Sequence, residues 1–250
     1  MKYDSEQPRR TALVTGAGGA LGMAITKALL KAGQRVVIAD SNGAALEELK
    51  AGLDGEVLSL VFDVSSEADV QQASDKVARE WGNVDILVNN AGVLSNNKIA
   101  ETTPEEWRRI HAINLDGPFL LCRRWVPAMR AQRWGRIINM CSLAMKTGGL
   151  TAGTAYTTTK GALGALTLSL ARELAPHGVT ANAIAPAYVK TKMITEQLTD
   201  EQREQVLRGI PVGRFCEVEE VAHAVVFLSS ELSGFITGEI LDINGGLHLD

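Results

Sequence analysis

Cysteine and histidine are scarce in this sequence, and they lie far apart along it. Its 250 residues include three cysteines and four histidines, and none of them has the spacing of a metal-binding or redox motif. An odd number of scattered cysteines favours free thiols in a reducing compartment over disulfides. We therefore expect no metal ion, and we expect a cytoplasmic protein.

A long apolar run and a strong net charge are also missing. No stretch approaches the roughly 18 apolar residues of a membrane-spanning helix, and residues 1–10 are too polar for a signal peptide. The net charge of −4 gives no electrostatic reason to bind nucleic acid or an anionic membrane. We therefore expect neither nucleic acid nor membrane as a partner.

Apolar, β-branched runs alternate with segments of helical period along nearly the whole chain. The predicted strands are Thr11–Thr15, Arg35–Asp40, Val57–Val64, Asp85–Asn90, Gly135–Ser142, Val179–Ala185 and Glu239–Ile243. The predicted helices are Leu21–Ala32, Gly43–Leu53, Glu67–Trp81, Pro104–Gln132, a helix that contains Tyr156 and ends near His177, Thr199–Arg208 and Val218–Ser230. This alternation predicts one α/β domain over residues 1–250, with helices on both faces of a parallel sheet. The long irregular region Pro186–Phe215 predicts a substrate-binding loop at about 187–215.

A glycine-rich turn, Gly16 to Gly22, joins the first strand to its helix. Such a turn lets the free N–H groups of the helix N-terminus point at a pyrophosphate. Asp40 ends the second strand eighteen residues after Gly22, where a carboxylate accepts hydrogen bonds from an adenosine ribose and repels a 2′-phosphate. No arginine stands beside Asp40, so the pattern favours NAD as cofactor over NADP.

Further polar residues fall at the carboxyl ends of predicted strands, where ligands bind in an open parallel sheet. Asp63 is placed to meet an adenine amine, and Asn90–Ala91–Gly92 to bring backbone close to an adenosine. We interpret Asn89 as structural, with its amide tying neighbouring strands together. Cys141 has no histidine close in sequence, and cysteine is commonly a small buried residue, so a thiol nucleophile is disfavoured.

Tyr156 and Lys160 lie four positions apart in a predicted helix, which places them on one face. A lysine charge about 5 Å from a phenolate, at an effective dielectric of about 20, stabilises it by roughly 3 kcal/mol. Tyr156 is therefore a candidate acid/base. A single Tyr-x-x-x-Lys pair also occurs at ordinary helix starts, so this interpretation depends on the rest of the chain.

Pro118 lies four residues after Asn114 in the longest predicted helix. Because proline has no N–H, the Asn114 carbonyl loses its helical partner and needs a water or a side chain instead. Gly117 loosens the same turn. We expect a kinked helix with a water bound at Asn114, and the alternative is a simple break between two helices.

Jointly and in this order, these motifs resemble those of the short-chain dehydrogenase/reductase family, in its branch of about 250 residues. The resemblance covers essentially the whole chain and rests on Thr15–Gly22, Asp63, Asn89–Gly92, Asn114, Ser142, Tyr156 with Lys160, and Pro186–Thr191. It implies a three-layer Rossmann-type fold, with a seven-stranded, mostly parallel sheet and helices on both faces. It also implies a nicotinamide cofactor and hydride transfer at a secondary alcohol or ketone, in an assembly that is commonly a homotetramer joined through the Val218–Ser230 helix and the last strand.

The resemblance also implies roles for individual residues. Tyr156 would be the acid/base, Ser142 would hydrogen-bond the substrate oxygen, Lys160 would bind the nicotinamide ribose, and Asn114 would hold a water that links Lys160 to solvent. Val189 and Thr191 would meet the carboxamide and a phosphate of the cofactor. The expected cofactor-binding residues are Gly16, Leu21, Gly22, Asp40, Asp63, Val64, Asn90, Ala91, Gly92, Tyr156, Lys160, Pro186, Val189 and Thr191.

Three departures from the family pattern bear on the site. Ala20 replaces a usual glycine of the turn, and Pro186-Ala187 replaces a usual Pro-Gly. The gap from Ser142 to Tyr156 is one residue longer than is most common, which enlarges the Met145–Thr154 loop.

We expect an enzyme that transfers hydride between NAD(H) and a small-molecule secondary alcohol or ketone. The alternative is a reductase of 3-oxoacyl thioesters, carried on acyl carrier protein or CoA, although most such relatives use NADPH and Asp40 counts against that. An enoyl reductase usually spaces its Tyr and Lys more widely, and a dinucleotide sensor without chemistry usually lacks one of them. Candidate pocket residues, Leu94–Asn97, Leu143–Leu150 and Ala187–Leu198, fit a polyol, a hydroxy acid or an acyl thioester equally well.

Overall fold

The computed structural model describes residues 9–191 and 199–249 of the chain. Its strands are β1 (Thr11–Thr15), β2 (Arg35–Asp40), β3 (Val57–Val61), β4 (Ile86–Asn89), β5 (Gly135–Met140), β6 (Val179–Pro186) and β7 (Ile240–Ile243). They form one seven-stranded sheet in the order β3-β2-β1-β4-β5-β6-β7. Every pairing in it is parallel, so the predicted Rossmann-type sheet is confirmed and is parallel throughout rather than mostly so.

The helices are α1 (Ala20–Lys31), α2 (Gly43–Ala51), α3 (Glu67–Trp81), α4 (Pro104–His111), α5 (Gly117–Gln132), α6 (Ala144–Thr147), α7 (Thr154–Leu174), α8 (Asp200–Gly209) and α9 (Val218–Ser229). Short 3₁₀ turns follow at Ala175–His177 and Glu231–Ser233. Helix α6 was not predicted, because its four residues are too few to show a helical period. Residues 192–198 of the predicted pocket loop lie outside the described residues.

Successive side chains of the strands pack into two different cores, as the two-residue period of a strand requires. In β1, Ala12 and Val14 belong to a buried cluster with residues of α1, α2 and α9, whereas Leu13 belongs to a second cluster with residues of α3, α5 and α7. The helices therefore form one layer on each face of the sheet. Strands buried on both faces are continuous hydrophobic runs, which is why their sequences were easy to locate.

The long predicted helix Pro104–Gln132 is broken in the structure. Between α4 and α5 lies a π-helical segment, Ala112–Asp116, in which the Gly117 N–H donates to the Ala112 carbonyl five residues back. Pro118 cannot donate to the Asn114 carbonyl, and a Cβ on Gly117 would lie 2.9 Å from Val64 Cγ2. The predicted departure from regular helix at Asn114 is confirmed, and it takes the form of a π segment.

Strands β3 and β5 end two or more residues earlier than predicted. Strand β3 stops at Val61, and β5 stops at Met140, after which the Cys141 N–H donates to the Ile184 carbonyl and the Leu143 N–H to the Pro186 carbonyl. The chain around Ser142 is thus an irregular segment held beside the end of β6. In the described part of the chain, no helix combines the length and the apolar character needed to cross a membrane.

Candidate active site

A cleft of about 960 Å³ opens at the carboxyl ends of the strands, near the upper limit of the roughly 300–1,000 Å³ of typical ligand sites. It lies beside β1 and β4, where the strand order reverses, which is where ligands bind in open α/β sheets. Fifteen predicted site residues line it: Gly16, Leu21, Gly22, Asp40, Asp63, Val64, Asn90, Ala91, Gly92, Ser142, Tyr156, Lys160, Pro186, Val189 and Thr191. Asn114, the remaining predicted residue, is buried behind them.

The glycine turn after β1 has no room for side chains at its two ends. Gly16 has a φ of +63°, and a Cβ there would lie 2.9 Å from Ala91 Cα. A Cβ on Gly22 would lie 2.7 Å from Ala17 Cα and closer still to the Gly16 carbonyl oxygen. Helix α1 therefore packs directly on the turn, and its N-terminal N–H groups, uncapped by any side chain of Gly19, face the cleft and suit an anion.

Asn90 and Thr15 hold this turn in place. The Asn90 side-chain amide donates to the carbonyls of Thr15, at 2.9 Å, and Gly16, at 3.2 Å. The Thr15 hydroxyl accepts from the backbone N–H groups of Asn90 and Ala91. Sequence reasoning assigned Asn90–Gly92 to the adenosine and missed this bracing role, for which the polar Thr15 at the end of a buried strand was the available signal.

Asp40, at the end of β2, is fixed by the backbone around it. One carboxylate oxygen accepts the Gly18 N–H at 3.0 Å, and the other accepts the Asn42 N–H at 3.0 Å. Glu48 and Asp63 line the same end of the cleft, which we call the Asp40 end, and sequence reasoning missed Glu48. Among the described residues that line the cleft, Lys160 is the single lysine or arginine. A helix N-terminus for a pyrophosphate and an anionic Asp40 end for a ribose together fit a dinucleotide.

Lys160 and Tyr156 share one face of α7, as predicted. Lys160 is 4% exposed, its ammonium donates to the Met140 carbonyl at 2.6 Å, and its Nζ lies 5.6 Å from the centroid of the Tyr156 ring. An ammonium has three donors, so two remain for other acceptors. A Cβ on Gly92 would lie 3.5 Å from this Nζ, which shows how closely the segment after β4 approaches it.

Ser142 follows β5 and lines the cleft together with Tyr156. Its Oγ accepts the Ala144 N–H at 3.2 Å, which orients the hydroxyl at the start of α6 and leaves its proton available to a substrate oxygen. Burial raises the pKa of the neighbouring Cys141 thiol to about 11, against the opposing effect of Lys160. Cys141 is therefore a neutral thiol near pH 7, which agrees with its interpretation as a buried structural residue.

Asn114 is 1% exposed and lies in the π segment. Its amide donates to the Val93 carbonyl at 3.0 Å and to the Thr159 hydroxyl at 3.2 Å, and its Oδ1 accepts the Val93 N–H at 2.8 Å. The side chain thus ties the segment after β4 to α7. Its backbone carbonyl, which the sequence linked to a bound water, faces the position where Pro118 has no N–H.

The structural interpretation of Asn89 is confirmed. Its amide donates to Asn139 Oδ1 at 2.8 Å, and the Asn139 amide donates to the Thr167 hydroxyl at 2.9 Å. A chain of side-chain hydrogen bonds therefore links β4, β5 and α7 beneath the cleft.

The departures from the family pattern are accommodated locally. Ala20 is exposed at the start of α1, so its methyl faces the cleft without displacing the turn. After Pro186-Ala187, it is Tyr188 that adopts the left-handed region, with a φ of +45°, a conformation that costs about 1–2 kcal/mol in a residue other than glycine. Val189 then bridges to Cys216.

The opposite end of the cleft, which we call the Tyr188 end, is largely apolar. It is lined by Leu94, Leu143, Ala144, Thr147, Leu150, Thr151, Ala152, Ala187 and Tyr188. The predicted polar members Asn96, Asn97 and Lys146 do not line it, so that part of the prediction is wrong. The Asn97 amide donates to Glu106 at 2.9 Å and the Lys146 ammonium to Asp242 at 2.7 Å, and these contacts turn both side chains away.

Within the described ranges, no three histidine, cysteine or acidic side chains gather in a way that would hold a metal ion. The described cleft is lined by glycine backbone, by the carboxylates of the Asp40 end, by the buried Lys160 ammonium and by several hydroxyls, among them those of Ser142 and Tyr156.

Comparisons with known proteins agree with this geometry. A family model described as enoyl-(acyl carrier protein) reductase matches residues 16–248. The chain is 38% identical to the 3-oxoacyl-(acyl-carrier-protein) reductase FabG of Escherichia coli, over 96% of this chain and 98% of that one. It is 37% identical to the FabG of Aquifex aeolicus, over 95% and 97% of the two chains. The crystal structure of gox2181 has a TM-score of 0.91 and 34% identity over 97% of each chain. The chain belongs to the short-chain dehydrogenase/reductase family, whose members are oxidoreductases that use a nicotinamide dinucleotide.

Proposed function

We propose that this protein reduces the keto group of a 3-oxoacyl thioester with NADH. The observation that carries the proposal is the placement of Ser142, Tyr156 and Lys160 beside an apolar Tyr188 end that has no charged side chain among the described residues. That combination supports a neutral ketone carried on an acyl chain, which is the alternative that the sequence left open.

Each polar group has a defined task in this reaction. When bound, the cofactor supplies the hydride to the carbonyl carbon. Tyr156 donates its proton to the carbonyl oxygen, and Ser142 donates a hydrogen bond to the same oxygen as negative charge develops there. Removing one preorganised donor from a developing oxyanion costs about 3–4 kcal/mol. The Lys160 ammonium, held by Met140, stabilises the resulting phenolate until a proton returns, for which we propose a water at the Asn114 carbonyl.

The cofactor preference rests on Asp40. Its carboxylate is held by two backbone N–H groups, Glu48 and Asp63 lie at the same end, and no lysine or arginine among the described lining residues stands there to receive a 2′-phosphate. A ribose with free hydroxyls donates to such carboxylates, whereas a phosphate is repelled by them. We therefore propose that Gly16, Leu21, Gly22, Val64, Ala91, Gly92, Pro186, Val189 and Thr191 complete a site for NAD(H).

The substrate class rests on the Tyr188 end. A free hydroxy acid would bring its carboxylate into a region without a described counter-charge, which is costly. A polyol would leave hydroxyls against leucine and alanine side chains, whereas each buried methylene of an acyl chain contributes about 0.8 kcal/mol. The two FabG relatives, which are 3-oxoacyl-(acyl-carrier-protein) reductases, support the same class.

A neutral secondary alcohol, oxidised by the same residues in reverse, is the second candidate. The absence of charged side chains at the described Tyr188 end fits it equally, and Tyr156 would then accept the hydroxyl proton.

The test is a spectrophotometric screen with both NAD(H) and NADP(H). Its substrates are 3-oxoacyl thioesters of increasing chain length, neutral ketones, secondary alcohols, polyols, hydroxy acids and an enoyl thioester. We expect the highest kcat/KM for 3-oxoacyl thioesters with NADH, rising with chain length. Higher values for polyols or hydroxy acids would refute the substrate class.

Tyr156→Phe tests the acid/base assignment. The variant removes one oxygen from a half-buried ring, so we expect turnover to fall by about 10²–10⁴-fold while NADH binding, followed by fluorescence, is kept. Turnover close to that of the wild type would remove Tyr156 from its role.

We also propose that the protein is a homotetramer. Leu232 and Phe235 lie three positions apart between α9 and β7 and are 73% and 101% exposed, and exposed apolar patches are typical of protein interfaces. Light scattering coupled to gel filtration measures the mass directly, and a monomer would contradict the proposal.

A further inference from the structure

Helix α7, which carries Tyr156, begins without a capping side chain of its own. Its N-cap is Gly153, and the backbone N–H groups of Gly153 and Thr154 donate to the carbonyls of Ser95, at 2.7 Å, and Asn97, at 3.0 Å. A Cβ on Gly153 would lie 2.8 Å from the Ser95 carbonyl oxygen. Because Tyr156 comes two residues after Thr154, the first residue of α7, the segment 95–97 fixes the start of this helix and with it the position of Tyr156.

Glu106 of α4 holds this segment from the other side. One of its carboxylate oxygens accepts the Ser95 hydroxyl and the other accepts the Asn97 amide at 2.9 Å. The Ser95 Oγ in turn accepts the Asn97 N–H at 3.1 Å. The hydrogen bonds from Asn97 and Ser95 hold the pKa of Glu106 below its usual range, so the carboxylate is an anion at neutral pH and accepts from both residues at once.

Lys98, the next residue along the chain, binds the enlarged loop that precedes α7. The Lys98 ammonium donates to the carbonyls of Gly149, at 2.8 Å, and Ala152, at 2.7 Å. The segment 95–98 therefore contacts both the loop that walls the Tyr188 end and the first turn of α7. Glu106 is not among the residues that line the cleft, and its hydrogen bonds connect it to the cleft through this segment.

We propose that Glu106 is a positioning residue, whose carboxylate sets the place of Tyr156 relative to Ser142 through Ser95 and Asn97. This inference rests on the proposed role of Tyr156 as acid/base. Charge-assisted hydrogen bonds to a carboxylate are short and directional, so a single side chain on α4 controls the start of a helix 48 residues further along the chain.

The test compares Glu106→Ala with Glu105→Ala. Both residues are acidic and lie in the first turn of α4, so both variants lose the same interaction with the helix dipole. Glu105 is exposed and pairs with Arg108 at 3.5 Å, away from α7. The measurements are kcat, the primary isotope effect with deuterated NADH, the NADH dissociation constant and the melting temperature.

We expect kcat of Glu106→Ala to fall by about 10- to 100-fold, since a displacement near 1 Å has effects of this size. The isotope effect should rise, because a misplaced proton donor slows the chemical step. The affinity for NADH should stay within roughly twofold, because most of the residues proposed to bind the cofactor lie outside α7. Glu105→Ala should match the wild type. A merely structural role would lower the melting temperature and leave the isotope effect unchanged.

Equal kcat values and isotope effects for the two variants would overturn the inference. If Glu106→Ala does not fold, Ser95→Ala and Asn97→Ala each remove one contact with the carboxylate and keep the backbone carbonyls. A fall in kcat in both supports the inference, and wild-type kcat in both overturns it. A wild-type protein without activity refutes the proposed function and the inference together. An active wild-type protein whose Glu106→Ala variant keeps the wild-type kcat refutes the inference alone.

Discussion

Replacing Asp40 by asparagine isolates the charge that we hold responsible for cofactor choice. The Asp40 carboxylate accepts the N–H groups of Gly18 and Asn42, both at 3.0 Å. Asparagine has the same shape but only one acceptor oxygen, so the variant loses one negative charge together with one of these two hydrogen bonds. With Glu48 and Asp63 still present at this end of the cleft, the variant is less anionic but not neutral.

The magnitude follows from Coulomb's law. A 2′-phosphate carries about −1.5 charges, and at about 6 Å its repulsion by a carboxylate lies between about 1 kcal/mol, at the dielectric constant of water, and about 4 kcal/mol, at an effective value of 20. Asp40 is partly exposed, so solvent screens its charge and we expect the lower part of that range, about 1–2 kcal/mol. The ratio of kcat/KM for NADH to that for NADPH should therefore fall by about 5- to 30-fold.

The ratio of the two kcat/KM values is the informative quantity, because a looser glycine turn weakens the binding of NADH and NADPH equally. Such an effect therefore cancels in the ratio. Glu48→Gln is the control, since it removes a charge from the same end of the cleft on α2 and does not disturb the hydrogen bonds of Asp40 to the turn. We expect a smaller change in the ratio for Glu48→Gln. A ratio that is unchanged in Asp40→Asn would refute the assignment of Asp40, and with it the argument for NAD.

Two further predictions concern stability. Gly22→Ala places a methyl against the backbone of Gly16, and overpacking of this kind costs about 1–3 kcal/mol, so we expect the melting temperature to fall by about 2–12 °C and dinucleotide binding to weaken. Gly19→Ala, whose Cβ would lie 3.5 Å from the Gly16 carbonyl oxygen, should keep the wild-type melting temperature, and equal melting temperatures for both variants would contradict the packing argument. Arg214 donates to both carboxylate oxygens of Glu220 and holds the pKa of that carboxyl down to about 2. The stabilisation from this ion pair is therefore complete at pH values above 4.5, the ordinary pKa of the carboxyl, and is lost as the pH falls toward 2. Because the pair is partly exposed, we expect Glu220→Ala to lower the melting temperature at pH 7 by about 2–4 °C. The difference between the variant and the wild type should shrink as the pH falls from 5 to 3. A difference that is constant across this range would contradict the electrostatic origin of the stabilisation.

The sequence predicted those parts of the fold and the site that depend on local periodicity. Tyr156 and Lys160 share a face because four residues make about one helical turn. Strand β1 was located from its short apolar, β-branched run, all five residues of which are buried in the structure. The amide of Asn89 was predicted to tie strands together because a polar residue inside a buried strand must find a partner. In each case the physical cause lies within a few residues of the feature itself.

Contacts between distant segments could not be predicted in this way. Asn97 was expected in the pocket, but its amide bonds to Glu106, and Lys146 bonds to Asp242, 96 residues further along. Nothing in the local sequence distinguishes a polar side chain that faces a cleft from one that meets a carboxylate brought there by the fold. The predicted departure from regular helix at Asn114 was correct in position, but its π-helical form was not predicted.

Strand β5 explains why the groups of the site keep their mutual positions. The Met140 carbonyl at its end holds the Lys160 ammonium, and Ser142 follows two residues later. The strand is central in the sheet, paired on both sides by β4 and β6, and so it has little freedom to move. Any small shift of its end would carry the anchor of Lys160 and the hydroxyl of Ser142 together. Tyr156 is the group whose position depends on a different support, the segment 95–97, and this is why we expect the geometry of the reaction to be most sensitive to Glu106.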